Sequence, residues 1–302
     1  MALCAIHLPT KQNISLSNSP NPVITLARTL WQATQRFDRK SGWVMSSHIA
    51  MSMMLALFPF VLFIVSLAGF LSQDLNTDDL VGLVFGAWPD AVATPIVSEI
   101  ETVMATSSKP LMTFGGVLAI YFASNGVEAV RVAMNLAYRD EDTMAFWRAR
   151  LLSLGFVLVG GALMLLAGAV QVALPLYFSY VADVVPGSWG EWITSERLGK
   201  SLALALTLGV PVIGVTASHL WLPGRKHGLR HIWPGVVLTL VLWAAAVQGF
   251  AVYLARFSTY GATYAGLAGI MAALIFMYLL AAILILGAEF NGALIARRQG
   301  RR

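Results

Sequence analysis

Six stretches of the chain, each more than twenty residues long, are almost free of formal charge: residues 46–71, 111–137, 151–174, 201–222, 234–254 and 262–287. A helix needs about 20 apolar residues to cross the hydrocarbon core of a bilayer. Inside that core every backbone N–H and C=O must be bonded within its own segment, so an uncharged run of this length folds as a helix. The six runs therefore predict an all-α fold, a polytopic membrane helix bundle with six transmembrane helices. Apolar residues make up 58% of the chain and charged residues 12%, which excludes an ordinary soluble domain.

Basic residues orient the bundle. Fifteen of the 20 Lys and Arg fall in the N-terminal segment, in loops 139–150 and 223–231, and in the C-terminal tail. The positive-inside tendency then places both termini in the cytoplasm. Trp43, Trp147, Trp221 and Trp233 fall at the cytoplasmic boundaries, as an aromatic belt should. The same basic loops account for the net charge of +5, so no nucleic-acid partner is expected. Cys4 stands alone and cannot form an internal disulfide.

Residues 1–21 read as a variable polar tail without a signal-peptide pattern. Residues 22–296 read as one membrane domain and residues 297–302 as a basic cytoplasmic tail. From Pro22 to Lys40, Leu26, Leu30, Ala33 and Phe37 share one helical face. This segment either lies on the membrane surface or packs on the cytoplasmic end of the bundle. Residues 73–109 predict two short interfacial helices split at Trp88-Pro89. The fifth span is expected to begin at Pro234, since proline suits a first helical position.

The second span carries charge where charge is expensive. Tyr121, Ser124, Glu128, Arg131 and Asn135 recur every three or four residues and share a face, with Asn125 beside them. A charged side chain near the bilayer centre costs roughly 3 kcal/mol or more. This face is therefore expected to line a cavity, with Arg131 meeting an anionic head group; the alternative is a Glu128–Arg131 pair that only locks helices together. Pro59 and Pro211 sit near the middle of spans one and four and are expected to kink them. Gly261, Ala265, Gly269 and Ala273 form a small-residue stripe on span six, suited to helix packing or to oligomerisation. Asp140, Glu141, Asp142, His227 and His231 lack metal-ligand spacing, so no catalytic, metal or cofactor residue is assigned.

Several short pieces occur in a recognisable order. They are Leu57-Phe58-Pro59, Asn135-Leu136-Ala137-Tyr138, Leu222-Pro223, Trp233-Pro234-Gly235, Trp243, Tyr253, Tyr260-Gly261, Tyr264-Ala265-Gly266 and Leu286-Gly287-Ala288-Glu289-Phe290-Asn291. In that order the chain resembles the YihY/BrkB family of bacterial inner-membrane proteins from about residue 25 to 296. The resemblance implies six helices, an inner-membrane location and links to serum resistance and envelope lipid traffic. It brings a ribonuclease label that the residues here do not support, and no catalytic set to carry over. The function expected is transporter-like, or the handling of a lipid or envelope component, with membrane lipids as partners, an anionic or lipid-linked one among them. The alternatives are a non-transporting scaffold for envelope partners and, behind it, a membrane-bound ribonuclease.

Overall fold

A computed structural model describes residues 22–71, 109–138, 144–184, 196–224, 227–257 and 261–300. Among them all regular structure is helical, in seven helices: α1 (Pro22–Arg39), α2 (Gly42–Leu71), α3 (Lys109–Tyr138), α4 (Phe146–Val184), α5 (Glu196–Trp221), α6 (Leu229–Phe257) and α7 (Gly261–Gln299). Helices α2 to α7 are long and apolar enough to cross a membrane. The two interfacial helices expected in 73–109 and the acidic turn at 139–142 lie outside the described residues, as do the side chains of Gly261 and Ala265.

Neighbouring helices pack in sequence from α2 through α3, α4, α5 and α6 to α7, and α7 closes back onto α2. Helix α7 also touches α3, and the C-terminal half of α3 is buried among its neighbours. Val130, Ala133, Met134, Ala137 and Tyr138 of α3 are buried there with Ile49, Val215, Leu222, Ile232, Ala282 and Ala288.

Small residues set the closest approaches. A Cβ on Gly287 would collide with Thr239 Oγ1 and the Gly235 carbonyl, which brings α6 and α7 into backbone contact. A Cβ on Gly292 would strike the Ala137 carbonyl, which does the same for α7 and α3. Trp243 Nε1 donates to the Leu280 carbonyl at 2.9 Å along the same α6–α7 seam. Within the expected stripe, Gly269 is buried and Ala273 is half-buried.

Helix α1 buries Thr29, Ala33 and Phe37 and leaves Leu26, Leu30 and Trp31 exposed. It packs on α7, where Arg297 donates to Thr29 Oγ1 and to the Thr25 carbonyl. The first and last described helices thus meet at one end of the bundle. The corner from α1 to α2 is tight: Ser41 has φ 56°, and a Cβ on Gly42 would sit 2.5 Å from the Phe37 ring.

The helices extend beyond the apolar runs, most clearly at two ends. Helix α6 begins at Leu229, five residues before Pro234. Pro234 therefore occupies the second turn, behind the fully buried Ile232. Helix α7 runs on to Gln299, twelve residues past its apolar run, because Glu289 and Asn291 find partners inside the protein. Helices α2 and α5 both continue through their prolines, Pro59 and Pro211.

Candidate functional site: a groove between α2 and α3

Helix α2 carries Met45, His48, Ser52 and Leu55 at three- and four-residue spacing, so they form one stripe. Helix α3 runs beside it and presents Phe122, Asn125, Glu128, Ala129 and Val132. Between the two stripes lies a groove of about 500 Å³ lined by these nine residues. Both walls fall within the stretches of α2 and α3 that are long and apolar enough to cross a membrane. Its lining mixes four polar groups with five apolar ones.

Glu128 and Asn125 are held from behind. Arg131 Nε donates to both Glu128 carboxylate oxygens at 3.0 Å, and its Nη2 reaches Oε1 at 2.7 Å. Ser153 Oγ of α4 donates to Glu128 Oε2 at 2.9 Å. Arg150 Nη1 of α4 donates to Asn125 Oδ1 at 2.7 Å, and its guanidinium lies 4.9 Å from the centre of the Tyr121 ring. The pair is not symmetric towards the groove. The Glu128 side chain is 30% exposed, whereas that of Arg131 is 5% exposed. The ion pair therefore turns its negative end outward.

Of the six residues expected to line a cavity, Asn125 and Glu128 border the groove. Arg131 is buried behind Glu128, and Tyr121 is exposed beneath Arg150. Ser124 is fully buried and returns its hydroxyl to the Tyr121 carbonyl at 2.7 Å. Asn135 is buried eleven residues further on, where its Oδ1 accepts from Gly224 N–H.

A second polar centre lies at the packed end of the bundle. Lys40 Nζ pairs with Glu289 Oε1 at 2.7 Å and donates to the Leu136 carbonyl at 2.6 Å. Tyr138 Oη lies 2.6 Å from His219 Nδ1 and accepts from Asn291 Nδ2 at 3.0 Å. The same amide donates to the Ile232 carbonyl at 2.7 Å, and Asn291 Oδ1 accepts from Gly235 N–H at 2.7 Å. On its other side the Tyr138 ring stacks on His227 at 4.6 Å. Sequence reasoning missed both this centre and the α2 wall. The available signals were His219, Glu289 and Asn291, polar residues inside or just beyond apolar runs. Among the described residues no three His, Cys, Asp or Glu side chains gather as a metal site would require.

The chain matches the family described as Virulence factor BrkB over residues 33–302. It is 28% identical over 268 residues to YfkH of Bacillus subtilis, a protein with a ribonuclease-like name; the match covers 87% of this chain and 94% of that one. It is 26% identical over 269 residues to a UPF0761 membrane protein of Alkalilimnicola ehrlichii, covering 86% of this chain and 56% of the relative. A UPF0761 membrane protein of Aggregatibacter aphrophilus is 21% identical over 280 residues, covering 89% of this chain and 92% of the relative. The chain thus spans nearly all of two of these relatives and just over half of the third. No solved structure matches it. With a family match over most of its length, six helices able to cross a membrane and UPF0761 membrane proteins among its relatives, the chain is a membrane protein that belongs to the BrkB family.

Proposed function

We propose that this protein handles membrane lipids in a bacterial inner membrane, with both termini in the cytoplasm, and that it takes an amphipathic lipid from the bilayer into the α2–α3 groove. The observation that carries this reading is the composition of the groove. Met45, Leu55, Phe122, Ala129 and Val132 offer an acyl chain an apolar bed, and His48, Ser52, Asn125 and Glu128 offer a head group hydrogen-bonding partners. A volume of about 500 Å³ falls in the range of small-molecule sites. An ionisable group that borders a cavity at membrane depth is a functional candidate by default.

A scaffold without transport is the second reading. The burial of Arg131 against Glu128 favours it, because a packed pair is what helix locking needs. The two readings separate on the groove itself. Leu55 and Val132 are both exposed in its walls, so Leu55→Trp with Val132→Trp fills it without disturbing the core. Phospholipid retained by protein purified in mild detergent, measured by mass spectrometry, should fall severalfold in this variant. Retention equal to that of the unmodified chain would remove the groove from the function and leave the scaffold.

A further inference from the structure

We infer that two copies of this chain pair through α6, along the exposed stripe of Val237, Val241, Ala244, Gln248 and Ala251, with the two Gln248 side chains hydrogen-bonded to each other across the seam.

Helix α6 has two unlike faces. One belongs to α7: Thr239 is fully buried against Gly287, Trp243 Nε1 reaches the Leu280 carbonyl, and the Phe250 ring stacks on Phe276 at 4.8 Å. The opposite face is bare. Val237, Val241, Ala244, Gln248 and Ala251 follow one another at steps of four, three, four and three residues, and all five are exposed. That is the spacing of the a and d positions of a helix–helix seam. The apolar members are valine and alanine, short enough for a second helix to come close.

Gln248 identifies the occupant of this face. It lies inside Leu229–Leu254, the stretch of α6 that is long and apolar enough to cross a membrane. It stands six residues before Leu254, about 9 Å along the helix axis. Among the described residues none bonds its side-chain amide. Lipid tails offer an amide no donor and no acceptor, so leaving it against them is costly. A carboxamide carries an NH2 donor and a carbonyl acceptor, which makes it complementary to a second carboxamide. A two-fold axis along the membrane normal sets each residue of one α6 beside the same residue of the other. The two Gln248 amides then meet, and each NH2 donates to the other carbonyl. A lone polar residue in an apolar seam also fixes its register. The stripe carries no charge that would call for a charged partner. The small-residue stripe on α7 is less suited to this contact, because Gly269 is already buried within the chain.

The test uses the full chain with Cys4→Ser, so that an introduced cysteine is the only thiol. In cell membranes under oxidation, Ala244→Cys and Ala251→Cys should each give a disulfide-linked dimer. The yield should be severalfold above that from Val247→Cys, which is 46% exposed but stands about 100° round the helix from Gln248. In lipid vesicles, the dimer dissociation constant is read by energy transfer between labelled copies as the protein is diluted into lipid. It should rise about tenfold in Gln248→Leu, the effect of losing two interhelical hydrogen bonds. Gln248→Asn keeps the amide and should retain most of the affinity. Because Gln248 is exposed, Gln248→Leu should leave the melting temperature of the separated monomer unchanged. A chain that stays monomeric at every protein-to-lipid ratio overturns the inference. So does a dimer unmoved by Gln248→Leu, or one that cross-links as well from Val247 as from Ala244. Adducts from Ala244→Cys to a different protein, in place of the dimer, overturn it too.

Discussion

Removal of Lys40 should be strongly felt. It lies at the end of α1, yet its ammonium reaches Glu289 on α7 at 2.7 Å and the Leu136 carbonyl of α3 at 2.6 Å. Leu136 is among the last four residues of its helix, whose carbonyls lack intrahelical donors and form the negative end of the helix dipole. One cation therefore neutralises a carboxylate that is 2% exposed and caps a helix end. Lys40→Met keeps the apolar stem and deletes the charge. Breaking a buried pair by removing one partner costs about 3–5 kcal/mol, and an uncapped carbonyl adds about 1 kcal/mol. Lys40 itself is 21% exposed, so water recovers part of this and about 3–4 kcal/mol is expected. The double variant Lys40→Met with Glu289→Met has no stranded charge and should regain all but about 1 kcal/mol. Reversible unfolding in mixed detergent, followed by the fluorescence of the nine tryptophans, reads all four corners of the cycle. A Lys40→Met protein within 1 kcal/mol of the unmodified chain would refute the reasoning, as would a double variant no better than the single.

Tyr138→Phe removes the hydroxyl between His219 and Asn291 and leaves His219 Nδ1 without its partner in a buried place, so a loss of about 1–3 kcal/mol is expected in the same unfolding assay. Gly292→Leu forces a side chain onto the Ala137 carbonyl and should lower the detergent melting temperature by several degrees, while Leu279→Val, at an exposed position of the same helix, should barely move it. Reporter fusions at residue 302 and within 75–105 should report opposite compartments, with the C-terminal fusion cytoplasmic; the same compartment for both would refute the topology.

The helices were legible because an uncharged run of more than twenty residues has one fold open to it in a bilayer. Their ends were less so. Hydropathy stops counting at Glu289, but the helix does not stop, because Lys40 and the Gly235 amide receive its polar residues. The groove was half legible. Spacing put Asn125 and Glu128 beside the rest of their face, but spacing cannot say which helix runs alongside. A stripe that includes residues 121 to 135 passes from exposed surface to groove to core as its neighbours change. Ser124, Arg131 and Asn135 therefore face inward, while Asn125 and Glu128 border the groove. His48 and Ser52 read as the polar start of a span, and Lys40 as one more topology charge. Their partners are far away in the chain, and only the fold brings them together.

Among the described glycines two groups stand apart, and a mutational scan should separate them. At Gly235, Gly287 and Gly292 the place of a side chain is already occupied by a neighbouring helix. At Gly155, Gly160, Gly161, Gly168, Gly209, Gly214 and Gly249 nothing lies within 4 Å of where a Cβ would stand. Alanine at the first group should act as a lesion. At the second group it should be silent or mildly stabilising, since it spares the backbone about 1 kcal/mol of helix propensity per site. The tolerant positions on α4, α5 and α6 are thus where single-residue stabilising changes and small side-chain probes can be introduced without touching the packed end of the protein.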